Sequence, residues 1–130
     1  MALRIVRLGS PRLPGEGLRI GTVRRPPRGV PKAEFASRDF YDAWYPTLAP
    51  SLPLMQQAHA AATPAQWQAF LRKYRAEMKR PEAAHAIALL AALSRDSDFS
   101  VGCYCEDEAR CHRSELRRLL AQAGATIAGD

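Results

Sequence analysis

All three cysteines of the chain lie within one twelve-residue segment, Cys103 to Ser114, which reads CYCEDEARCHRS. The same segment contains His112 and two arginines, Arg110 and Arg113. Thiols and imidazoles bind soft metal ions, a thiol beside cations can become a nucleophile, and a small thiol also suits a buried strand. The segment therefore supports three hypotheses: a metal site, a reactive thiol in an anion pocket, or a structural strand end.

The metal hypothesis assigns a Cys3His zinc set to four residues of this segment, namely Cys103, Cys105, Cys111 and His112. Residues two apart on a strand point to the same side, which would let Cys103 and Cys105 bind one ion. Zinc knuckles, however, place two residues between their paired cysteines, and the adjacent Cys111 and His112 would have to diverge. Metal binding is therefore the alternative hypothesis, and no cofactor is assigned from the sequence.

The anion-pocket hypothesis centres on Cys111, which precedes a predicted helix. The first turn of a helix exposes backbone N–H groups, and these groups together with flanking cations lower a thiol pKa and attract phosphate or sulfate. If the protein is a catalyst, which the sequence leaves open, Cys111 is the predicted nucleophile and His112 its general base. The spacing from Cys111 to Arg117 matches that of cysteine phosphatases, but the residues between contain no glycine, so a phosphate cradle is not predicted.

A second cationic segment, residues 24–32, reads RRPPRGVPK and follows a predicted strand. It is expected at the same edge of the sheet as the cysteine segment. The predicted ligand-binding residues come from both segments and are Arg28, Lys32, Cys105, Glu106, Arg113 and Ser114. The expected partner is a small anion or a phosphorylated molecule.

The structural hypothesis requires no ligand. Free cysteine is common on buried strands, so Cys103 is expected in the core. His112 and Arg113 would then hold the strand end to the following helix through hydrogen bonds to carbonyl groups and to Glu106. Such an arrangement would leave no chemistry in the segment.

Charge indicates the class of partner. Nineteen Lys and Arg against thirteen Asp and Glu give a net charge of +6, which favours anionic partners. Nucleic acid is the third hypothesis and is not favoured, because the aromatic residues are spaced for a core rather than interleaved with arginine. The N-terminus lacks a signal-peptide pattern and no apolar run is long enough to cross a bilayer, so a cytoplasmic protein without membrane association is expected.

The order of strand and helix patterns predicts one α/β domain over residues 1–130, with a small mainly parallel sheet and helices packed on it. Strands are predicted at 3–8, 18–25 and 98–105, with a short edge strand at 125–128. Helices are predicted from Ser37 through Trp44, over 49–61, from the capping box at Thr63 to before Pro81, over 81–96, and over 114–123. Parallel sheets bind ligands at the carboxyl ends of their strands, where the cysteine segment is expected.

The strand ending in Cys-Glu and followed by Cys-His-Arg-Ser resembles the signature of domain of unknown function family 488, which includes the YeaO-like proteins. RPPRGVPK at 25–32, LAPS at 48–51 and WQAFLRKYRAEM at 67–78 are also similar to segments of that family, so the resemblance covers about residues 4–123. It implies a small single-domain α/β protein of bacterial type and brings no function. By position it implies a shared polar set of Arg28, Lys32, Cys105, Glu106, Cys111, His112 and Arg113; Cys103 and the Asp107-Glu108 pair depart from the family pattern.

Overall fold

Four parallel strands form one sheet in the computed structural model, which describes residues 1–129. The strands are β1 (Leu3–Arg7), β2 (Leu18–Gly21), β3 (Ala43–Trp44) and β4 (Phe99–Cys103), in the spatial order β1-β4-β2-β3. The helices are α1 (Leu52–Ala60), α2 (Pro64–Met78), α3 (Pro81–Leu93) and α4 (Arg113–Gln122), with short 3-10 turns at Lys32–Glu34, Pro46–Leu48 and Glu108–Arg110. The predicted α/β class is confirmed; Asp130, the last residue of the predicted domain, lies outside the described residues.

Strand β4 is central and buried along its whole length, since it pairs in parallel with β1 on one side and β2 on the other. Val101 stands opposite Ile5 of β1 and Ile20 of β2. Gly102 permits this close approach, because a Cβ atom there would lie 2.7 Å from the backbone oxygen of Val6. The end of β4 therefore lies in the middle of the sheet, where a ligand site is expected in a parallel fold.

Helix α2 forms as its sequence predicts. The side chain of Thr63 accepts a hydrogen bond from the backbone of Gln66, and the Gln66 side chain accepts one from the backbone of Thr63, which completes the capping box. The predicted apolar stripe is buried and consists of Trp67, Phe70, Leu71, Tyr74 and Met78. None of the helices within residues 1–129 is long and apolar enough to span a membrane.

The prediction of a helix from Ser37 through Trp44 is wrong. The chain turns there, with Asp39 at a positive φ of 63°, and then enters the edge strand β3. The Asp39 carbonyl accepts hydrogen bonds from the backbone N–H of Gly9 and from the guanidinium of Arg19, so contacts distant in sequence outweigh local helix propensity.

All three long predicted strands are shorter than expected. Strand β1 stops at Arg7, and the other two end where a neighbouring strand ends. Strand β2 stops at Gly21, and β4 stops at Cys103, which pairs with the last residue of β1. The predicted edge strand at 125–128 is reduced to a single bridge between Leu3 and Ile127.

A buried ion pair fixes the start of β2. The guanidinium of Arg19 donates to both carboxylate oxygens of Glu16 at 2.9 and 3.0 Å, and the two side chains are 1% and 2% exposed. Arg19 also donates to the carbonyl of Ser10, and Ser100 of β4 donates to Glu16. The pair therefore joins β2, β4 and the loop after β1.

Candidate functional site

The cysteine segment lies at the carboxyl end of β4, as predicted. After Cys103 the chain makes a short loop and then enters α4 at Arg113. The guanidinium of Arg117 in α4 donates to both carboxylate oxygens of Glu108, at 2.7 and 2.9 Å, and so fixes the loop against the helix. The loop thus returns Cys111 and its neighbours to the strand end.

Three side chains of this segment place metal-binding atoms close together. The donor atoms of Cys103, Cys111 and His112 all lie within 4.8 Å of one another, and all three residues are buried. The Cys111 Sγ lies 3.8 Å from the Nδ1 of His112, and the Cys105 Sγ lies 3.8 Å from that of Cys103. The structure therefore brings together all four residues of the metal hypothesis. The adjacent Cys111 and His112 place their donor atoms near each other without the divergence that the sequence was expected to require.

The imidazole of His112 is held in one orientation. Its Nε2 lies 2.8 Å from the carbonyl oxygen of Thr22, and because a carbonyl only accepts, Nε2 carries the proton. Nδ1 then retains its lone pair on the side that faces Cys111. The ring also packs edge-to-face on Tyr74, whose hydroxyl donates to the carbonyl of Leu48.

The thiols differ in acidity. Hydrogen bonds from the thiols of Cys103 and Cys111 hold the pKa of Cys105 well below its usual value. For Cys111, a hydrogen bond from Cys103 lowers the pKa, but the hydrogen bond to Cys105 and burial raise it, and the net direction is upward. Burial lowers the pKa of His112 to about 4, so its ring is neutral. The lowered thiol pKa predicted for Cys111 is thus found at Cys105.

A cavity of about 450 Å³ adjoins the thiols and His112. Its walls are largely apolar and come from the loop after β2 and from α1 and α2. The apolar and aromatic residues that line it include Val23, Pro26, Pro27, Phe40, Pro50, Met55, Trp67, Phe70 and Tyr104. Cys103, Cys105, Cys111 and His112 line it as well, and these four residues are called the thiol floor below.

Four arginines also line the cavity, but they differ in their contacts. Arg24 donates to the carbonyls of residues 46, 49 and 50, so its charge holds the chain between β3 and α1. Arg110 lies over the Trp67 ring at 4.9 Å and donates to the Ala61 carbonyl. Arg25 and Arg28 are exposed. No Asp or Glu is found among the lining residues within 1–129, so the charged side chains of the described lining are all arginines.

The predicted site residues fall into two groups. Those that line the cavity are Arg28, Cys105, Cys111 and His112. Lys32 is exposed in a 3-10 turn outside the cavity lining, and Glu106 is exposed and pairs with Arg7 at 3.6 Å. Ser114 donates its hydroxyl proton to the carbonyl of Cys111 at 2.9 Å, which stabilises the start of α4.

Arg113 stabilises the thiol floor through a hydrogen bond to the main chain of Cys105. It is 3% exposed, its Nη2 donates to the Cys105 carbonyl at 2.6 Å, and its Nε has no hydrogen-bond partner among the described residues. Together with the His112 contact to Thr22, this bond provides the carbonyl contacts that the structural hypothesis expects. Glu106 takes no part in them.

The sequence did not predict that aromatic residues line a cavity beside the cysteines. The spacing of Trp67 and Phe70 on α2 predicts core residues, and both are buried, yet both also line the cavity. Strand alternation predicts Tyr104 on the side opposite to Cys103 and Cys105, yet all three line the same cavity, because the strand ends at Cys103. The Tyr104 hydroxyl donates to the carbonyl of Arg25, which joins the basic loop to the end of β4.

The family model described as "DUF488-N3a: Active DUF488-N3 subclade" matches residues 3–124. Comparison with curated proteins and with solved structures gives no match. The matched range includes every strand and helix of the fold and the whole thiol floor.

Proposed function

We propose that this chain, which belongs to the DUF488 family, binds an organic anion in the cavity beside the thiol floor. The ligand's apolar body contacts the aromatic walls, and its anionic group lies near Arg25 and Arg28. The observation that carries this proposal is the lining itself, which combines an apolar surface with arginines and contains no described carboxylate.

The size and polarity of the cavity narrow the class of ligand. Pockets of several hundred cubic ångströms that are mainly apolar suit organic molecules of drug-like size. An inorganic anion alone would leave the surfaces of Phe40, Met55 and Tyr104 in contact with water. A phosphorylated or carboxylated molecule with an aromatic or aliphatic body fits both parts of the lining.

The arginines supply attraction and orientation. Arg24 and Arg110 are engaged by carbonyl groups, whereas Arg25 and Arg28 are exposed on a segment stiffened by Pro26 and Pro27. Proline reduces the number of backbone conformations of this segment, so fewer are lost on binding. A guanidinium forms paired hydrogen bonds with phosphate or carboxylate. The anionic group of the ligand is therefore proposed to bind Arg25 and Arg28.

Catalysis at the thiol floor is a further part of the proposal. The matched family model is described as an active subclade, and catalysis by this chain agrees with that description. Cys111 as nucleophile and His112 as its base stay predictions, as do ligand contacts by Lys32 and Glu106. Nucleic-acid binding also stays a prediction.

Metal binding is the second candidate function. It is favoured by one specific observation, the mutual proximity of the donor atoms of Cys103, Cys111 and His112. A metal ion on the floor would add positive charge to the cavity, so metal binding is compatible with anion binding. It would also occupy Cys111 and His112, and so exclude them as nucleophile and base.

Calorimetric titration with phenyl phosphate, inorganic phosphate and phenol tests the proposal. Phenyl phosphate is expected to bind most tightly, because it alone contacts both the apolar wall and the arginines. Arg28→Gln should weaken its binding roughly three- to tenfold, the size of one ordinary net hydrogen bond, because Arg28 is exposed to solvent. Arg72→Gln, which changes an exposed arginine of α2 outside the lining, serves as the matched control. Equal binding of all three probes, or no effect of Arg28→Gln, would contradict the proposal.

A further inference from the structure

Two sulfur atoms and one imidazole nitrogen of the thiol floor lie within 4.8 Å of one another. We infer that Cys103, Cys111 and His112 bind one Zn²⁺ and leave its fourth coordination position open to the cavity. Two thiolates and one imidazole are ligands that zinc prefers, and three protein ligands with one open position are typical of catalytic zinc.

The distances agree with this coordination. Zinc lies about 2.3 Å from thiolate sulfur and about 2.0 Å from imidazole nitrogen, so tetrahedral geometry separates the two donors by about 3.5 Å. The Sγ of Cys111 and the Nδ1 of His112 are 3.8 Å apart, and all three donor atoms lie within 4.8 Å of one another. Side-chain rotations that shift the donors by about 1 Å are enough to close the site.

The hydrogen bond on the other side of the His112 ring also fits zinc binding. Metal-bound histidines usually donate their other ring N–H to a carbonyl or carboxylate, which fixes the orientation of the ring. His112 does so through its 2.8 Å contact with the Thr22 carbonyl. Thr22 is itself fully buried, and both its backbone N–H and its hydroxyl donate to the Gly102 carbonyl. The free Nδ1 of His112 is therefore held toward the Cys111 sulfur.

Charge balance favours the site despite its burial. Binding of Zn²⁺ by Cys103 and Cys111 releases two thiol protons to solvent and leaves a neutral Zn(thiolate)₂ unit beside a neutral imidazole. A neutral unit avoids the cost of an unpaired charge in the core. These groups therefore suit zinc better than a harder ion such as magnesium, which prefers oxygen ligands.

The open coordination position would let the zinc bind a ligand in the cavity. All three ligands line the cavity, so a fourth ligand can approach from it. This part rests on the proposed function, because an oxygen atom of the bound organic anion would occupy that position. Cys105 lies 3.8 Å from Cys103 and is the competing fourth ligand.

The inference is tested with untagged protein purified without added metal and analysed by mass spectrometry. About one zinc per chain is expected. Chelator-treated protein is then titrated with Co²⁺, which gives thiolate charge-transfer absorption when cysteine binds it. Cys111→Ser and His112→Gln should lose the metal and this absorption. Cys105→Ser should keep both, and His85→Gln, at an exposed position of α3, is the matched control.

Two results would overturn the inference. One is a wild-type chain without zinc that also fails to bind Co²⁺ when its circular dichroism shows it to be folded. The other is loss of metal in Cys105→Ser as complete as in Cys111→Ser, which would indicate a closed four-ligand site. Thermal melting with and without Zn²⁺ separates misfolding from lost ligation, because zinc should raise the Tm of wild type but not of Cys111→Ser. Phenyl phosphate binding by the chelator-treated protein distinguishes failure of the metal site from failure of the anion pocket.

Discussion

His112 donates its Nε2 proton to the main-chain carbonyl of Thr22, a residue 90 positions earlier in the chain, across a distance of 2.8 Å. This hydrogen bond joins the start of α4 to the end of β2. It also decides which ring nitrogen faces Cys111. One contact therefore both joins two elements of the fold and sets the orientation of the His112 ring.

His112→Ala is expected to lower the free energy of unfolding by about 2–4 kcal/mol, because it leaves the Thr22 carbonyl without its donor and opens a cavity against Tyr74. His112→Gln should lose less, since a side-chain amide can still donate. Urea unfolding of the chelator-treated protein measures both values and removes any contribution from bound metal. His85→Ala, on the exposed face of α3, should change stability by no more than about 0.5 kcal/mol. Equal losses for His112→Ala and His85→Ala would show that the contact adds nothing.

Glu16→Gln should be strongly destabilising, by about 3–5 kcal/mol, because it leaves the Arg19 guanidinium buried without its counter-charge. Glu34→Gln removes a carboxylate from an exposed pair with Arg38 and should cost less than about 1 kcal/mol. Both variants are compared by urea unfolding at neutral pH. A similar small loss in both would mean that the buried pair is no more important than the surface pair.

The same pair predicts a pH dependence. Burial raises the pKa of Glu16, but the hydrogen bonds and charge of Arg19 outweigh burial and hold it below its usual value of 4.5. A carboxyl group with a depressed folded-state pKa contributes stability above its unfolded pKa and loses that contribution as the pH falls through the folded value. Wild-type stability should therefore fall below about pH 4.5 more steeply than that of Glu16→Gln. Parallel curves of unfolding free energy against pH for the two proteins would contradict this assignment.

Trp67 is predicted to contribute to ligand affinity as well as to packing of the core. Trp67→Phe keeps an aromatic ring against Phe70 but removes area from the cavity wall and weakens the contact with Arg110. Phenyl phosphate should bind roughly two- to tenfold more weakly, while inorganic phosphate is unchanged. Calorimetry with both probes gives the comparison, and thermal melting reports the packing loss separately. Leu71→Met, a buried change on the same helix outside the lining, controls for general loosening of α2. Weaker binding of both probes alike would assign the effect to folding rather than to the wall.

Local sequence determined several parts of this protein. The capping box at Thr63 fixed the start of α2, and alternation and apolar spacing identified the central strand and the buried stripe of α2. The position of Cys111 between a strand and a helix was also evident, because both elements are specified by residues close in sequence. The position of the basic segment after a strand grouped Arg28 with the cysteine segment, and both line the same cavity.

Tertiary structure decided the remainder. The residues after Ser37 have helical character, yet contacts with Arg19 and Gly9 turn that segment into a loop and an edge strand. Whether Arg28 or Lys32 lines the cavity depends on the path of a proline-rich loop, which no periodic pattern specifies.

The order β1-β4-β2-β3 places Thr22 beside His112, and the packing of α2 places Trp67 beside the thiol floor. A site of this kind is built from the ends of elements that are distant in sequence. Its residue types can be found in the sequence, but its partners follow from how the sheet and helices assemble.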